Sequence, residues 1–141
     1  RSLAGRSLVE AMAAGELPAP PLTDLLGLRL TEVAPGRAVM RVAPDERHAN
    51  GGGFAHGGLA ATMIDSSTGC AVWTRIEDRS RIATIELGVT YVRPIGPRVG
   101  ELVAEAEVVH LGDSIGVATA EIRDSDGTLY ATGRATYAIR R

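Results

Sequence analysis

Four stretches in the second half of the chain alternate apolar and polar residues with a period of two, as antiparallel strands with one buried face do. Turns at 94–97, 111–113 and 124–127 separate these stretches. The apolar positions of the first two are Ile85, Leu87, Val89 and Tyr91, then Leu102, Ala104, Ala106 and Val108. Ile115 and Val117 begin the third stretch, and Leu129, Ala131, Ala135, Tyr137 and Ile139 mark the fourth. This half of the chain therefore predicts four antiparallel strands.

The first half of the chain predicts a short helix, a connector and two more strands. Ser7–Glu10 matches a capping box, and the helix that it would open ends at Gly15. Three prolines within 18–21 predict a stiff connector. Strands are expected at 28–33 and 38–43, on either side of a Pro-Gly turn.

Residues 57–74 predict a long helix that is apolar on most sides, which is typical of a helix buried in a core. Between Arg47 and Arg75, 27 residues carry one formal charge, that of Asp65, with His counted as neutral. Because burial of an isolated carboxylate is costly, such a group is usually paired, protonated or functional. Asp65 is the first candidate for chemistry, and the alternative is that it faces solvent or caps a neighbouring element. One sheet cannot easily cover such a helix on all sides, so a partner subunit is expected.

Composition narrows the classes of function. The 141 residues suit one domain, and a net charge of −2 argues against a broad nucleic-acid surface. The single cysteine, Cys70, fits a reducing cytosol, and its place in the apolar helix favours a packing role over a reactive thiol. No secretory signal or membrane span is recognised, so a cytoplasmic location is expected. His48, His56, His110 and Cys70 lack any standard zinc spacing, so no metal is expected.

Several short motifs occur in a characteristic order along the chain. They are Leu26-Gly27-Leu28, Asn50, His56-Gly57-Gly58, Asp65, and Val89-Thr90-Tyr91 followed by Pro94. With this order of elements, the chain resembles the hotdog-fold acyl-CoA thioesterases over residues 21–139. The most similar branch is the phenylacetic-acid-pathway type, which includes the thioesterase-superfamily member 2 kind.

The resemblance implies an α+β hotdog fold, in which a six-stranded antiparallel sheet wraps around one long central helix. Residues 1–20 would be an N-terminal helix and Pro-rich connector, and 21–141 the hotdog thioesterase domain. It also implies a homodimer, in many relatives a homotetramer, and an acyl-CoA substrate. Coenzyme A is then part of the substrate, so no separate cofactor is expected, and neither is a nucleic-acid or membrane partner.

The resemblance further implies a set of catalytic residues. Asp65 acts as general base or nucleophile in thioester hydrolysis, and the backbone amide of Gly57 polarises the thioester carbonyl. Asn50 orients the thioester or water, and the hydroxyl of Thr84 helps to hold the water. For His56, orienting the turn and contacting the ligand are left open as equal alternatives.

The residues that match the coenzyme-contacting segments of that family are Gly58, Tyr91, Arg93, Pro94, His110, Gly112 and Ser114. Relatives often carry a basic residue where Asp113 lies, and this departure puts one phosphate contact in doubt. Arg93, Arg98 or Arg134 could replace it, and an ordinary solvated arginine is the alternative for each.

Helix geometry limits how Gly57 and Asp65 can act together. A helix N-terminus presents free N–H groups and a positive dipole end, which suit a carbonyl oxygen that becomes an oxyanion. The two residues are eight positions apart, about 12 Å along the helix and about 80° around it. They cannot act on one thioester carbon within one chain. Two antiparallel helices about a two-fold axis would bring Gly57 of one chain to Asp65 of the other, so a shared active site is expected.

Three functions compete at this point. The leading one is hydrolysis of an aryl- or medium-chain acyl-CoA. A hotdog hydratase or dehydratase would need a His and an acid that both reach the acyl chain, and its His-Pro signature is absent. A non-catalytic acyl-CoA-binding protein is the third, and the retained Asp65 and Asn50 count against it. The sequence does not decide which acyl group is hydrolysed or whether coenzyme A or a carrier protein bears it. It also does not decide between a dimer and a tetramer.

Overall fold

The computed structural model describes residues 3–141, in which one long helix packs against a six-stranded antiparallel sheet. The helices are α1 (Gly5–Ala13), α2 (Pro21–Leu26) and α3 (Gly57–Trp73), and a single 3-10 turn spans Glu46–His48. The strands are β1 (Arg29–Ala34), β2 (Arg37–Val42), β3 (Arg81–Tyr91), β4 (Leu102–Leu111), β5 (Ile115–Asp124) and β6 (Leu129–Arg140). Their order in the sheet is β1-β2-β4-β5-β6-β3. The predicted hotdog architecture is confirmed.

Small residues on the sheet let α3 approach it closely. The helix buries Leu59, Met63 and Ile64 against a sheet face whose buried positions are mostly alanines: Ala104, Ala106, Ala118, Ala120, Ala131 and Ala135. At the closest approach, a Cβ added to Gly133 of β6 would lie 2.7 Å from Cγ2 of Ile64. Alanine and glycine on the strands thus make room for the large side chains of the helix.

The predicted helix at the N-terminus exists, but the capping box is wrong. α1 begins at Gly5 with Ala4 as its N-cap, so Ser7 already lies inside the helix and donates to the carbonyl of Ala4. Glu10 pairs with the exposed Arg6 instead of with a backbone N–H. The helix starts early because the N–H of Arg6 donates to the carbonyl of Ile76, a long-range contact that the local motif does not encode.

The connector after α1 contains a helix that the sequence analysis missed. α2 has Pro21 at its first turn, where a missing N–H costs nothing, and ends at Gly27 with φ of 71°. In the motif Leu26-Gly27-Leu28, Leu26 therefore ends this helix, Gly27 is its C-cap, and Leu28 immediately precedes β1. No helix within residues 3–141 is long and apolar enough to cross a membrane.

Strand β3 departs from the predicted alternation. Its register with β6 shifts between Thr84 and Glu86, so Ile85 is the extra residue of a β-bulge and is 58% exposed. Placing Ile85 on the inner face was therefore wrong. Because of the bulge, Thr84 and Tyr91 both reach α3 although they are seven residues apart. In a regular strand such residues would point to opposite faces.

The predicted faces of the other strands can also be compared with the structure. The alternation in β6 and the first part of β4 is confirmed, since Leu102, Ala104, Ala106, Ala131 and Ala135 are fully buried. On β5 the buried residues are Gly116, Ala118, Ala120 and Ile122. Ile115 and Val117, which marked the start of this strand, therefore lie on its opposite face.

Replacing Gly133 by Ala tests the close approach of sheet and helix. The added Cβ collides with Ile64, so we expect the free energy of unfolding to fall by about 1–3 kcal/mol, as is usual for overpacking. The matched control is Gly96→Ala, because nothing lies within 4 Å of the Cβ added there. Chemical denaturation of both variants measures the difference, and equal stability would contradict the packing argument.

Candidate active site

Asp65 lies near the middle of α3 with its side chain only partly exposed. One carboxylate oxygen, Oδ1, accepts hydrogen bonds from the hydroxyls of Thr84, at 2.9 Å, and Tyr137, at 3.0 Å. These two donors are register partners on the adjacent strands β3 and β6. Among residues 3–141, no hydrogen bond reaches the other oxygen, Oδ2. The carboxylate is thus fixed through one oxygen while the second stays open to a reactant.

Tyr137 is a site residue that the sequence analysis counted only as a strand position. Its hydroxyl also lies 2.6 Å from the carbonyl oxygen of Asp65 and 2.7 Å from the hydroxyl of Thr68. Burial and the neighbouring carboxylate of Asp65 raise the pKa of Tyr137, so its hydroxyl keeps its proton and can donate. One signal could have pointed to it, because it is the large polar-tipped residue at an inward position of a strand rich in Ala and Gly.

The N-terminus of α3 forms a second cluster. His56 is the N-cap, and its Nδ1 accepts from the N–H of Gly58 at 2.9 Å. The N–H of Gly57 takes part in no hydrogen bond among residues 3–141, as is usual for the first turn of a helix. Gly57 therefore keeps a donor for an incoming oxygen, while that of Gly58 is already used. The cap agrees with the orienting role of His56, and its ligand contact stays a prediction.

Tyr91 lies against this cluster. Its hydroxyl donates to the carbonyl of Gly57 at 2.6 Å, and a Cβ on Gly57 would be 3.2 Å from the same hydroxyl. Glycine at position 57 thus leaves room for the two groups to approach closely, and a Cβ there would move the Tyr91 hydroxyl by a few tenths of an ångström. The end of β3 is thereby held onto the start of α3.

The side-chain oxygen of Asn50 orders its own loop. It accepts from the N–H groups of Gly52, at 2.8 Å, and Phe54, at 3.2 Å, which is a common role of Asn in glycine-rich turns. A part in orienting the thioester or water would have to use its amide nitrogen. That catalytic role stays a prediction.

The remaining residues expected to contact coenzyme A do not line the cleft described below, and all are at least partly exposed. The guanidinium of Arg93 lies 5.9 Å from the ring centroid of Tyr130, and Pro94 follows it. His110, Gly112 and Ser114 belong to the β4–β5 hairpin. At its tip the side chain of Asp113 is 98% exposed and lies 3.5 Å from Arg141. Arg98 and Arg134 are exposed as well, so their role in phosphate binding stays a prediction.

A cleft of about 960 Å³ opens beside Asp65, between the N-terminal segment and α3. Its walls include Leu8 and Met12 of α1, and Cys70 and Trp73 of α3. Asp65, Thr84 and Tyr137 line the same space, whereas Gly57 does not. Within one chain, Asp65 therefore borders this largely apolar cleft, whereas the N-terminus of α3 at Gly57 and Gly58 lies outside it. Within residues 3–141, no group of three His, Cys, Asp or Glu side chains could hold a metal ion.

Comparison with known proteins decides the family, because residues 52–131 match the model of the thioesterase superfamily. The chain belongs to the thioesterase superfamily. It is 34% identical to a candidate esterase of Halobacterium salinarum, over 85% of both chains. It is 29% identical to human acyl-coenzyme A thioesterase 13, over 77% of both chains.

Solved structures agree with this member of the thioesterase superfamily in fold and type. A phenylacetic acid degradation-related protein from Ralstonia eutropha superimposes with a TM-score of 0.82 at 26% identity. The match covers 92% of this chain and 98% of that protein. The resemblance to hotdog-fold thioesterases of the phenylacetic-acid-pathway type is confirmed, and the protein is a thioester hydrolase.

The position of Cys70 in the cleft generates a prediction about its reactivity. Cys70 is only partly exposed at the wall of the cleft, and the loss of water around its sulfur raises the pKa of the thiol to about 12. Since the thiolate is the reactive form, we expect alkylation at pH 8 to be slow in the folded protein and fast after unfolding. Mass spectrometry of samples quenched over time measures both rates. Equally fast labelling of the folded protein would contradict the assigned environment.

Proposed function

We propose that this protein hydrolyses the thioester of an aryl- or medium-chain acyl-CoA to the free acid and coenzyme A. The observation that carries the proposal is the carboxylate of Asp65, which is fixed through Oδ1 and open at Oδ2 beside an apolar cleft. The relatives named as acyl-coenzyme A thioesterases supply the substrate class by analogy.

The chemistry needs two groups on opposite sides of the thioester carbonyl. One is a carboxylate that acts as base or nucleophile, and the other is a hydrogen-bond donor to the oxyanion. Oδ2 of Asp65 either takes a proton from the attacking water or attacks the carbon itself. In both routes the carbonyl oxygen gains negative charge, and the N–H of Gly57 at the positive end of α3 stabilises that charge. In the base route the proton taken by Oδ2 passes to the departing sulfur, so coenzyme A leaves as the thiol and the free acid is released. In the nucleophilic route the departing thiolate takes a proton from water, and a second water then hydrolyses the anhydride formed between the acyl group and Asp65.

The two groups belong to different chains in this proposal. Gly57 and Asp65 are eight residues apart on one helix, about 12 Å along its axis, which exceeds the reach of one thioester carbon. Strand β3 lies at the edge of the sheet and exposes Ile85, Leu87 and Tyr91. A long apolar edge strand is suited to pairing with another chain. Pairing two copies of β3 about a two-fold axis would set the two α3 helices side by side in opposite directions.

The cleft supports the choice of acyl group. Leucine, methionine and tryptophan side chains supply much of its wall, which Asp65, Thr84 and Tyr137 also line. The acyl chain would occupy the apolar part, with the thioester at Asp65. The coenzyme would extend along the exposed residues Arg93, Pro94, His110, Gly112 and Ser114. We propose a homodimer as the working unit, with pairing of two dimers as a further level of assembly.

The first test replaces Asp65 by Asn. The amide oxygen can still accept from Thr84 and Tyr137, so the fold is preserved, while loss of the base should lower turnover a hundredfold or more. Release of free thiol is followed with phenylacetyl-, hydroxybenzoyl- and straight-chain acyl-CoA esters of graded length. Normal turnover of Asp65→Asn would remove the assignment. If the wild-type protein bound these acyl-CoA esters but released no thiol from them, the non-catalytic alternative would be favoured.

The second test asks whether the two groups come from different chains. Gly57→Pro removes the N–H at the first helical position, where proline is tolerated, and His56 before it already has a compatible φ of −61° and ψ of 138°. When Gly57→Pro and Asp65→Asn chains are co-expressed with different tags, each mixed dimer should contain one intact site. We expect the doubly purified mixed dimers to show about half of the wild-type turnover, because one of two symmetric sites is restored.

The control for this test is Gly57→Ala. It introduces the same Cβ beside the Tyr91 hydroxyl but keeps the N–H, so it separates crowding from loss of the donor. We expect Gly57→Ala to retain far more activity than Gly57→Pro. Mixed dimers no more active than the two parent variants would rule out a shared site.

A further inference from the structure

We propose that Tyr137 is a positioning residue that holds the Asp65 carboxylate in its working orientation from the sheet side of α3. This inference rests on the proposed function of Asp65. Tyr137 lies on β6, is only 2% exposed, and its ring packs between the sheet and α3. Tyr137 reaches Asp65 twice, at the carboxylate Oδ1 and at the backbone carbonyl.

The direction of these hydrogen bonds follows from counting protons. The hydroxyl of Tyr137 has one proton, and its neighbours are the two oxygens of Asp65 and the hydroxyl of Thr68. Both oxygens of Asp65 can only accept, and a hydrogen bond to a carboxylate is stronger than one between neutral groups. Tyr137 therefore donates to Asp65, and its one proton is shared between Oδ1 at 3.0 Å and the backbone carbonyl at 2.6 Å. The hydroxyl of Thr68, 2.7 Å from that of Tyr137, donates to the carbonyl of Ile64 at 2.6 Å.

The helix is built to admit this ring. A Cβ on Gly69, four residues after Asp65, would lie 3.3 Å from the Tyr137 hydroxyl and 3.6 Å from two ring carbons. That is tighter than ordinary van der Waals contact, so glycine at this position lets the hydroxyl reach the backbone of Asp65. Gly69 is itself buried inside α3, four residues before the helix ends at Trp73, where glycine costs about 1 kcal/mol relative to alanine. The space that it leaves is filled by Tyr137.

The two contacts limit what the carboxylate can do. Thr84 and Tyr137 both donate to Oδ1, so rotation of the carboxylate would break two hydrogen bonds at once. Oδ2 is then the oxygen left for water or the thioester carbon. Thr84 is exposed on the edge strand, whereas Tyr137 is buried and anchored to Thr68 and to the helix backbone. Of the two donors, Tyr137 has the more rigid support.

The test is Tyr137→Phe, which keeps the ring and removes the hydroxyl. We expect kcat to fall roughly tenfold, the usual scale for one hydrogen bond to a charged group, with KM within about twofold of wild type. The matched control is Tyr130→Phe on the same strand, since its hydroxyl also bonds a carboxylate, that of Asp124 at 3.0 Å. Tyr130→Phe should leave kcat unchanged. Thermal unfolding of both variants reports any general loss of structure.

A second arm separates positioning from a merely structural role. In an Asp65→Asn background, Tyr137→Phe should produce no further loss of kcat, because the acid through which it acts is already gone. If Tyr137→Phe fails to fold, Gly69→Ala in the wild-type and Asp65→Asn backgrounds displaces the same hydroxyl and is measured in the same way. Wild-type kcat in Tyr137→Phe, or an equal loss in both backgrounds, overturns the inference. A wild-type protein inactive on every thioester would instead reject the proposed function itself.

Discussion

A carboxylate on a largely buried helix needs hydrogen-bond donors, and in this fold they come from two strands on the same side of the sheet. Thr84 and Tyr137 meet on Oδ1 of Asp65 because β3 and β6 are neighbours in register. Removing one donor while the charge stays half-buried would cost more than the hydrogen bond itself, since the charge loses a partner in a region with little water. The position of the carboxylate thus depends on the pairing of these two strands.

Irregular features of the backbone and glycines make this meeting geometrically feasible. The bulge at Ile85 brings both Thr84 and Tyr91 to the helix side of β3, so one strand reaches α3 at Asp65 and again at Gly57. Gly69 and Gly133 leave the space in which β6 approaches the helix. A regular strand or a larger residue at either glycine would separate the hydroxyls from the carboxylate. The local departures from ideal geometry are thus the ones that build the site.

Much of the architecture could be predicted from the sequence, and the exceptions have physical reasons. The last four strands followed from their period of two, because the buried face of a strand repeats along its own residues, and α3 followed from a long apolar run after the His-Gly-Gly step. Asp65 stood out since it is a lone charge in an apolar run. The early start of α1 and the bulge in β3 depend on contacts with distant residues, Ile76 and β6, which no local pattern contains. Tyr137 was missed for the same reason, because its partner lies 72 positions away.

The N-terminus of α3 completes the argument about how the site is divided. The His56 cap uses the N–H of Gly58, and Tyr91 uses the carbonyl of Gly57, so the Gly57 N–H is the donor left over at this end of the helix. The acid lies two turns further on, held from the sheet side by Tyr137. On one helix, the positively polarised N-terminus at Gly57 and the carboxylate of Asp65 are therefore too far apart to act on the same carbonyl. If two such helices lie antiparallel about a two-fold axis, Gly57 of each chain comes close to Asp65 of the other, which gives two such pairs. The homodimer that we propose, with two equivalent sites, is thus the simplest assembly in which both groups would act on one carbonyl.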